Sequence, residues 1–231
     1  MWGNLVSLPA ASYSKPTVPK ESLPLEPPAE AQAKRVCIMG STGSIGRSTI
    51  DVVRSLGPGY RVTGLCAARR WRELAAQAAE ARPSAVAIAQ ADHASQLRPL
   101  LNGSTELLVG PEGLVDLAAR PDSDFVVAAI VGAAGLPSTI AAVRAGKRVG
   151  LANKEALVVA GSILIPLARE SGACLLPIDS EHSAIFQSMT AGRPSEVKRI
   201  LLTASGGPFR TWSGPEIAQA TVEDALRHPT W

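Results

Sequence analysis

The stretch Gly40-Ser41-Thr42-Gly43-Ser44-Ile45-Gly46 places three glycines in a GxxGxxG spacing, directly after the apolar run Val36-Cys37-Ile38-Met39. Amides at the start of a helix lack intrahelical acceptors and carry partial positive charge, so they suit a phosphate. Glycine lets the chain turn tightly and lets a pyrophosphate approach the backbone. Alone, a glycine triplet is a weak signal, and a tight strand-to-helix turn without ligand explains it equally well. Its position between the first apolar strand and a helix favours a dinucleotide site.

The end of the next apolar run bears on which dinucleotide is held. NAD-binding domains place a carboxylate there for the ribose 2′-hydroxyl. Here the run ends in Ala67-Ala68-Arg69-Arg70, with no acid. Two guanidiniums suit a 2′-phosphate through charge-assisted hydrogen bonds, which points to NADP. The alternative is that Arg69 and Arg70 only flank a solvated helix start.

Further along, Asp179-Ser180-Glu181 follows the apolar run Cys174–Ile178. Alternate residues of an extended segment point the same way, so both carboxylates could meet one hard cation such as Mg²⁺ or Mn²⁺. Capping of the following helix is the simpler account of the same spacing. Asn153-Lys154-Glu155 lies after another apolar run, where a lysine beside an acid is a substrate contact or a plain surface pair. Thr203-Ala204-Ser205-Gly206-Gly207-Pro208 offers hydroxyls and backbone donors compatible with phosphate. His228 is a ligand, a proton carrier or a surface residue, and a lone histidine is more often the last.

These residues need elements to hold them. Apolar strands are expected over 35–39, 61–67, 85–89, 106–109, 125–131, 148–152 and 174–178. Helices are expected near 45–56, 70–81, 93–101, from 111 onward, 136–145 and 162–171. Alternation of fully apolar strands with helices indicates α/β architecture: a doubly wound parallel sheet covered on both faces, a Rossmann-like nucleotide-binding domain over 34–178. From 179 to 231 the pattern changes to a helix over 181–191, a strand over Val197–Thr203 and short helical pieces. That reads as the opening of an α+β domain.

Bulk composition excludes several classes. Hydrophobic residues at 46% and charged residues at 19% indicate a globular core, and no apolar run reaches the roughly 18 residues of a membrane span. A net charge of +3 with 4% aromatics provides neither a basic patch nor a stacking platform for nucleic acid. Cys37, Cys66 and Cys174 sit in apolar runs without a CxxC partner, against both a disulfide framework and a zinc site. Residues 1–33 carry Pro9, Pro16, Pro19, Pro24, Pro27 and Pro28 without sustained periodicity, and are expected to be a disordered tail. The tail has no arginine but has Glu21, Glu26 and Glu30, unlike a transit peptide, so the cytoplasm is favoured over the plastid stroma.

Taken together, the Gly40–Gly46 loop, Ala152-Asn-Lys-Glu-Ala156, Asp179-Ser-Glu-His-Ser-Ala-Ile-Phe-Gln187, Leu202-Thr-Ala-Ser-Gly-Gly-Pro-Phe-Arg210 and His228-Pro-Thr-Trp231 resemble, in order, the motifs of 1-deoxy-D-xylulose 5-phosphate reductoisomerases. The resemblance runs from Lys34 to the last residue. It implies rearrangement of the sugar phosphate to an aldehyde, then reduction by NADPH to 2-C-methyl-D-erythritol 4-phosphate with a divalent ion as Lewis acid. It implies Asp179 and Glu181 as metal ligands, and Lys154, Ser180, Glu181, Ser205 and His228 as substrate contacts, with Lys154, Glu181 and His228 closest to the chemistry. It implies Thr42, Gly43, Ser44, Ile45, Asn153 and Glu155 as cofactor contacts, with Ala68, Arg69 and Arg70 near the 2′-phosphate. Ala68 stands where glycine is common and Arg70 where asparagine is usual.

The family continues past His-Pro-x-Trp with a mobile loop, further Ser, Asn and Lys substrate contacts, a third metal-binding carboxylate that is a glutamate, and a helical domain. The sequence as given is therefore expected to bind NADPH but to be inactive alone, and a homodimer is expected at full length. Two rivals are a semialdehyde or homoserine dehydrogenase, which does not account for the Asp-Ser-Glu trio, and a non-catalytic NADP-binding module.

Overall fold

The computed structural model describes residues 34–202 and 207–227. The expected disordered tail, Ser205 and His228 lie outside the described residues. These group into two compact units, divided between Asp179 and Ser180.

The first unit is built on β1 (Lys34–Met39), β2 (Tyr60–Ala67), β3 (Ala85–Ile88), β4 (Glu106–Val109), β5 (Phe125–Ala128), β6 (Arg148–Leu151) and β7 (Cys174–Pro177). All pairings are parallel, in the order β4-β3-β2-β1-β5-β6-β7. The chain lays β2 to β4 outward on one side of β1, then returns to place β5 to β7 on the other. β1 and β5 are therefore the topological switch point, with Val36 beside Phe125 and Met39 beside Ala128. In open α/β sheets ligands lie outside the carboxyl ends of the strands at such a point.

Side chains alternate across the sheet, so each strand feeds both cores. Val36 and Ile38 of β1 pack with Val62, Leu65, Val86, Ile88 and Val127. That core is closed by α1 (Ser44–Ser55), α2 (Trp71–Ala81) and the single-turn α3 (Ala94–Leu97), through Ile50, Val53, Leu74 and Leu97. Cys37 and Met39 face the other way and pack with Val126, Ala128, Val149 and Leu151. There α4 (Gly110–Ala119), α5 (Leu136–Arg144) and α6 (Glu155–Ser171) cover them through Leu114, Leu117, Val143 and Leu164. The doubly wound parallel sheet expected from the apolar runs is the observed fold.

Some bounds differ for local reasons. The register of β2 shifts against β1 between Val36 and Cys37, so Val62 and Leu65, three apart, share one face. An extra residue in one strand produces this reversal of alternation. β5 ends at Ala128 rather than at residue 131, and the chain then turns at Gly132, whose φ 72° and ψ −165° suit glycine. α6 is two helical stretches joined at a kink, where Ala160 has φ −130° and ψ 18°. The second covers the expected 162–171, and the Asn153 side-chain oxygen, accepting from the Glu155 amide at 3.1 Å, supports the start of the first.

The second unit contains α7 (Ser180–Thr190), α8 (Gly214–Ile217) and α9 (Val222–Leu226). Capping boxes start both short helices: Ser213 with Glu216, and Thr221 with Asp224. The strand expected over Val197–Thr203 is not formed across 197–202, and Thr203 lies outside the described residues. A strand needs a neighbour for its ladder, and the described residues of this unit include no strand to supply one.

Candidate functional site

The carboxyl ends of β1, β2, β5 and β6 bring four loops to one edge of the sheet. After β1, Gly40 turns at φ +86°, and a Cβ there would lie 2.7 Å from the carbonyl oxygen of Ala129 on the loop after β5. Gly46, in the first turn of α1, is tighter still: its Cβ would meet Gly40 O at 2.3 Å and Ser41 Cα at 2.5 Å. Glycine at both positions lets helix, turn and the β5 loop close on one another.

Gly43 is the N-cap of α1 and no side chain caps this end. The amides of Ser44, Ile45 and Gly46 have no acceptor among the described residues. Ser44 and Ile45 are exposed, whereas Thr42 is buried at 6% exposure. The arrangement is an uncapped helix start with free donors and no side chain blocking the approach, and it suits a pyrophosphate.

Supports for this loop come from residues that the motif reading passed over. Ser41 is fully buried, and its hydroxyl donates to Gln77 Oε1 at 2.7 Å while Gln77 Nε2 donates to Ser41 O at 2.9 Å. The Gly40 amide donates to Cys66 Sγ at 3.1 Å. Burial pushes the Cys66 thiol up to about 12, so at neutral pH it is a protonated packing group and not a nucleophile. One sequence signal could have revealed Gln77: it is an amide between Leu74 and Ala78 on the apolar stripe of α2.

Ala68, Arg69 and Arg70 are exposed at the end of β2. Arg70 donates from Nη1 to Thr42 O at 3.0 Å, which ties it to the phosphate loop. The Arg69 guanidinium has no hydrogen-bond or ion-pair partner among the described residues.

Asn153, 7% exposed, uses its amide within the protein. Nδ2 donates to Ile130 O and Gly132 O, each at 2.9 Å, and thereby joins the loops after β5 and β6. Lys154 and Glu155 beside it are exposed. Asp179 follows β7 at the end of the first unit, while Ser180 and Glu181 open the second. Ser180 Oγ donates to Glu181 Oε2 at 2.9 Å. No cluster of three His, Cys, Asp or Glu side chains suited to a metal occurs among the described residues. No helix among them is long and apolar enough to cross a membrane.

Comparison with known proteins agrees with this geometry. A family model for 1-deoxy-D-xylulose 5-phosphate reductoisomerase matches residues 36–161, and one for the C-terminal domain of the same enzyme matches residues 175–231. The reductoisomerase of Chloroherpeton thalassium is 49% identical over 199 residues, 86% of this chain and 51% of that protein. That of Chlorobium chlorochromatii is 50% identical over 199 residues, with 86% and 52% covered. The chain thus spans about half the length of the curated relatives it matches. The solved reductoisomerase of Zymomonas mobilis in complex with NADPH superposes with TM-score 0.75 at 45% identity, covering 86% of this chain and 52% of that one. A DOX-P reductoisomerase in complex with NADPH, fosmidomycin and magnesium gives TM-score 0.71 at 42% identity, with 86% and 52% covered. With residues 36–161 and 175–231 matched by the family's own models, the chain belongs to the 1-deoxy-D-xylulose 5-phosphate reductoisomerase family.

Proposed function

We propose that this protein converts 1-deoxy-D-xylulose 5-phosphate to 2-C-methyl-D-erythritol 4-phosphate, rearranging the carbon skeleton to an aldehyde and reducing it with NADPH. The observation that carries the reading is the uncapped start of α1, with the amides of Ser44, Ile45 and Gly46 unclaimed, in a chain of this family. The donor set fits the cofactor: free amides for the pyrophosphate, and guanidiniums in place of a carboxylate at the end of β2.

In this reading Thr42, Gly43, Ser44 and Ile45 hold the pyrophosphate, and Ala68, Arg69 and Arg70 surround the adenosine 2′-phosphate. Asn153 and Glu155 are further cofactor contacts, Asn153 with its amide nitrogen already held by the carbonyls of Ile130 and Gly132. Lys154, Ser180, Glu181, Ser205 and His228 contact the sugar phosphate, with Ser205 near its phosphate. Lys154 is exposed at the N-cap of α6, and with Glu181 and His228 it is read as a group nearest the chemistry.

Asp179 and Glu181 would hold a divalent ion, Mg²⁺ or Mn²⁺. Two carboxylates fit such an ion, which commonly completes its shell with water and substrate oxygens. When bound, it supplies Lewis-acid polarisation of the substrate's carbonyl and hydroxyl oxygens. Residues 34–178 form the cofactor domain in this reading, and 179–231 begin the catalytic domain. The full protein acts as a cytoplasmic homodimer on a small-molecule substrate.

Titration of NADPH into the 231-residue chain tests the cofactor half of the proposal, with saturable binding at micromolar concentrations expected. No binding at high micromolar cofactor would refute it. The metal half is tested by NADPH consumption with 1-deoxy-D-xylulose 5-phosphate in the gene's full product. Chelation, Asp179→Asn and Glu181→Gln are each expected to abolish turnover, and turnover that survives all three would overturn the metal assignment.

A further inference from the structure

Two side chains carried by α2 and its cap reach back to the phosphate loop and take successive backbone carbonyls. Gln77 Nε2 holds Ser41 O at 2.9 Å, and Arg70, the N-cap of α2, holds Thr42 O at 3.0 Å. A trans peptide points its C=O and N–H in opposite directions, and no peptide bond among the described residues is cis. Holding the Ser41 carbonyl towards α2 therefore turns the Thr42 amide away from α2. Holding the Thr42 carbonyl likewise turns away the Gly43 amide, which donates to Gly40 O at 3.1 Å and closes the turn. The Thr42 amide has no acceptor among the described residues, as is true of Ser44, Ile45 and Gly46. The side chains of this region are spent on carbonyls, which leaves amides for an anion.

Arg70 is also seated by charge. Glu73 Oε2 lies 3.8 Å from Arg70 Nη1 and 3.5 Å from Arg47 Nη1, so one carboxylate stands between a guanidinium before α2 and one on α1. A planar guanidinium already anchored loses less freedom when it meets a phosphate than an untethered one does. Arg69, next in the chain, has no such anchor among the described residues.

We infer that Gln77 and Arg70 form a clasp on the phosphate loop with separable duties, Gln77 being a positioning residue for the pyrophosphate and Arg70 the residue that sets selectivity for the 2′-phosphate. The inference rests on the NADPH reading above and adds which residues orient the loop and which reads the phosphate. Arg69 contributes less than Arg70, and Glu73 serves to position Arg70.

The test is a set of dissociation constants for NADPH and NADH, measured on the 231-residue chain and on Gln77→Met, Arg70→Met, Arg69→Met and Ser41→Ala, with circular dichroism to verify folding. Gln77→Met should weaken both dinucleotides by the same factor, about tenfold, as expected for one lost hydrogen bond at a buried group. Arg70→Met should weaken NADPH by about tenfold or more and NADH by only about twofold, the difference reporting a charge-assisted contact. Arg69→Met should change the NADPH-to-NADH ratio less than Arg70→Met does. Ser41→Ala removes only the hydroxyl arm and leaves Nε2 on the carbonyl, so it should weaken both less than Gln77→Met; it also keeps the loop testable if Gln77→Met fails to fold. An unchanged ratio in Arg70→Met, or unchanged affinities in a folded Gln77→Met, overturns the clasp while leaving the cofactor reading intact. If the unmodified chain binds neither dinucleotide, the cofactor reading falls and the clasp with it.

Discussion

Gly46→Ala is the sharpest probe of the loop. A Cβ at this position would lie 2.3 Å from Gly40 O, 2.5 Å from Ser41 Cα and 2.6 Å from Ser41 C, where ordinary contact begins at 3.4 Å. All three obstacles are backbone, so no flexible side chain can swing aside. The turn itself is held by the Ser41 amide on Cys66 O at 2.9 Å and the Gly40 amide on Cys66 Sγ at 3.1 Å. Relief therefore requires α1 to withdraw by about 1 Å, loosening Ile50 and Val53 in the core beneath it. Overpacking of this kind costs about 3 kcal/mol, at the upper end of the usual range. Alanine's helix preference over glycine returns about 1 kcal/mol, for a net loss near 2 kcal/mol.

For a chain of this size that corresponds to a fall in Tm of about 4–8 °C. Gly161→Ala is the matched control, because a Cβ at Gly161 in α6 meets nothing within 4 Å outside its own helix. Gly161 directly follows the kink at Ala160, so the substitution should gain about 0.4–1 kcal/mol and raise Tm by about 1–4 °C. Thermal melts of both variants followed by circular dichroism, with NADPH titrations alongside, separate the steric loss from helix propensity. If Gly46→Ala melts as high as Gly161→Ala and binds NADPH like the parent, the close approach of α1 to the turn is not real and the reasoning fails.

Other expectations concern the far end of the sheet. The Arg35 guanidinium donates to Asp124 at 2.6 and 3.0 Å, and this hydrogen bonding holds the Asp124 carboxyl below its ordinary value of 3.8. A depressed carboxyl contributes stability that is fully present above the unfolded-state value and is lost as pH falls through the folded one. Urea midpoints should thus fall below about pH 4 in the parent and fall less steeply in Asp124→Asn; equal slopes would exclude the pair as a source of acid sensitivity. Lys147 is 7% exposed, and its ammonium donates to Ser123 O at 2.5 Å and also to Arg120 O. Lys147→Met leaves Ser123 O without a donor and Arg120 O with only the Ser123 amide at 3.4 Å, and should cost about 1–2 kcal/mol in urea unfolding, so an unchanged midpoint would show that water satisfies the freed carbonyl.

The sheet and the glycine turn at its edge are legible along the chain. Continuous apolar runs such as Val36–Met39 and Phe125–Ala128 have one physical solution, strands covered on both faces, and both faces are indeed filled. The glycine loop was legible for the same kind of reason, since its backbone requirements exclude other residues at Gly40 and Gly46. How the polar side chains are spent depends on the packed fold. The Asn153 amide joins two loops, because the carbonyls of Ile130 and Gly132 come to it only when β5 and β6 pair. Arg70 and Gln77 were a cation and an amide on one helix until β2 lay beside β1 and brought the carbonyls of Ser41 and Thr42 within reach. Val197–Leu202 has strand-like composition but no ladder, since pairing depends on a neighbour and not on propensity. Apolar pattern and backbone sterics act over a few residues and can be read along the chain. Hydrogen-bond partners far apart in the sequence are chosen by topology.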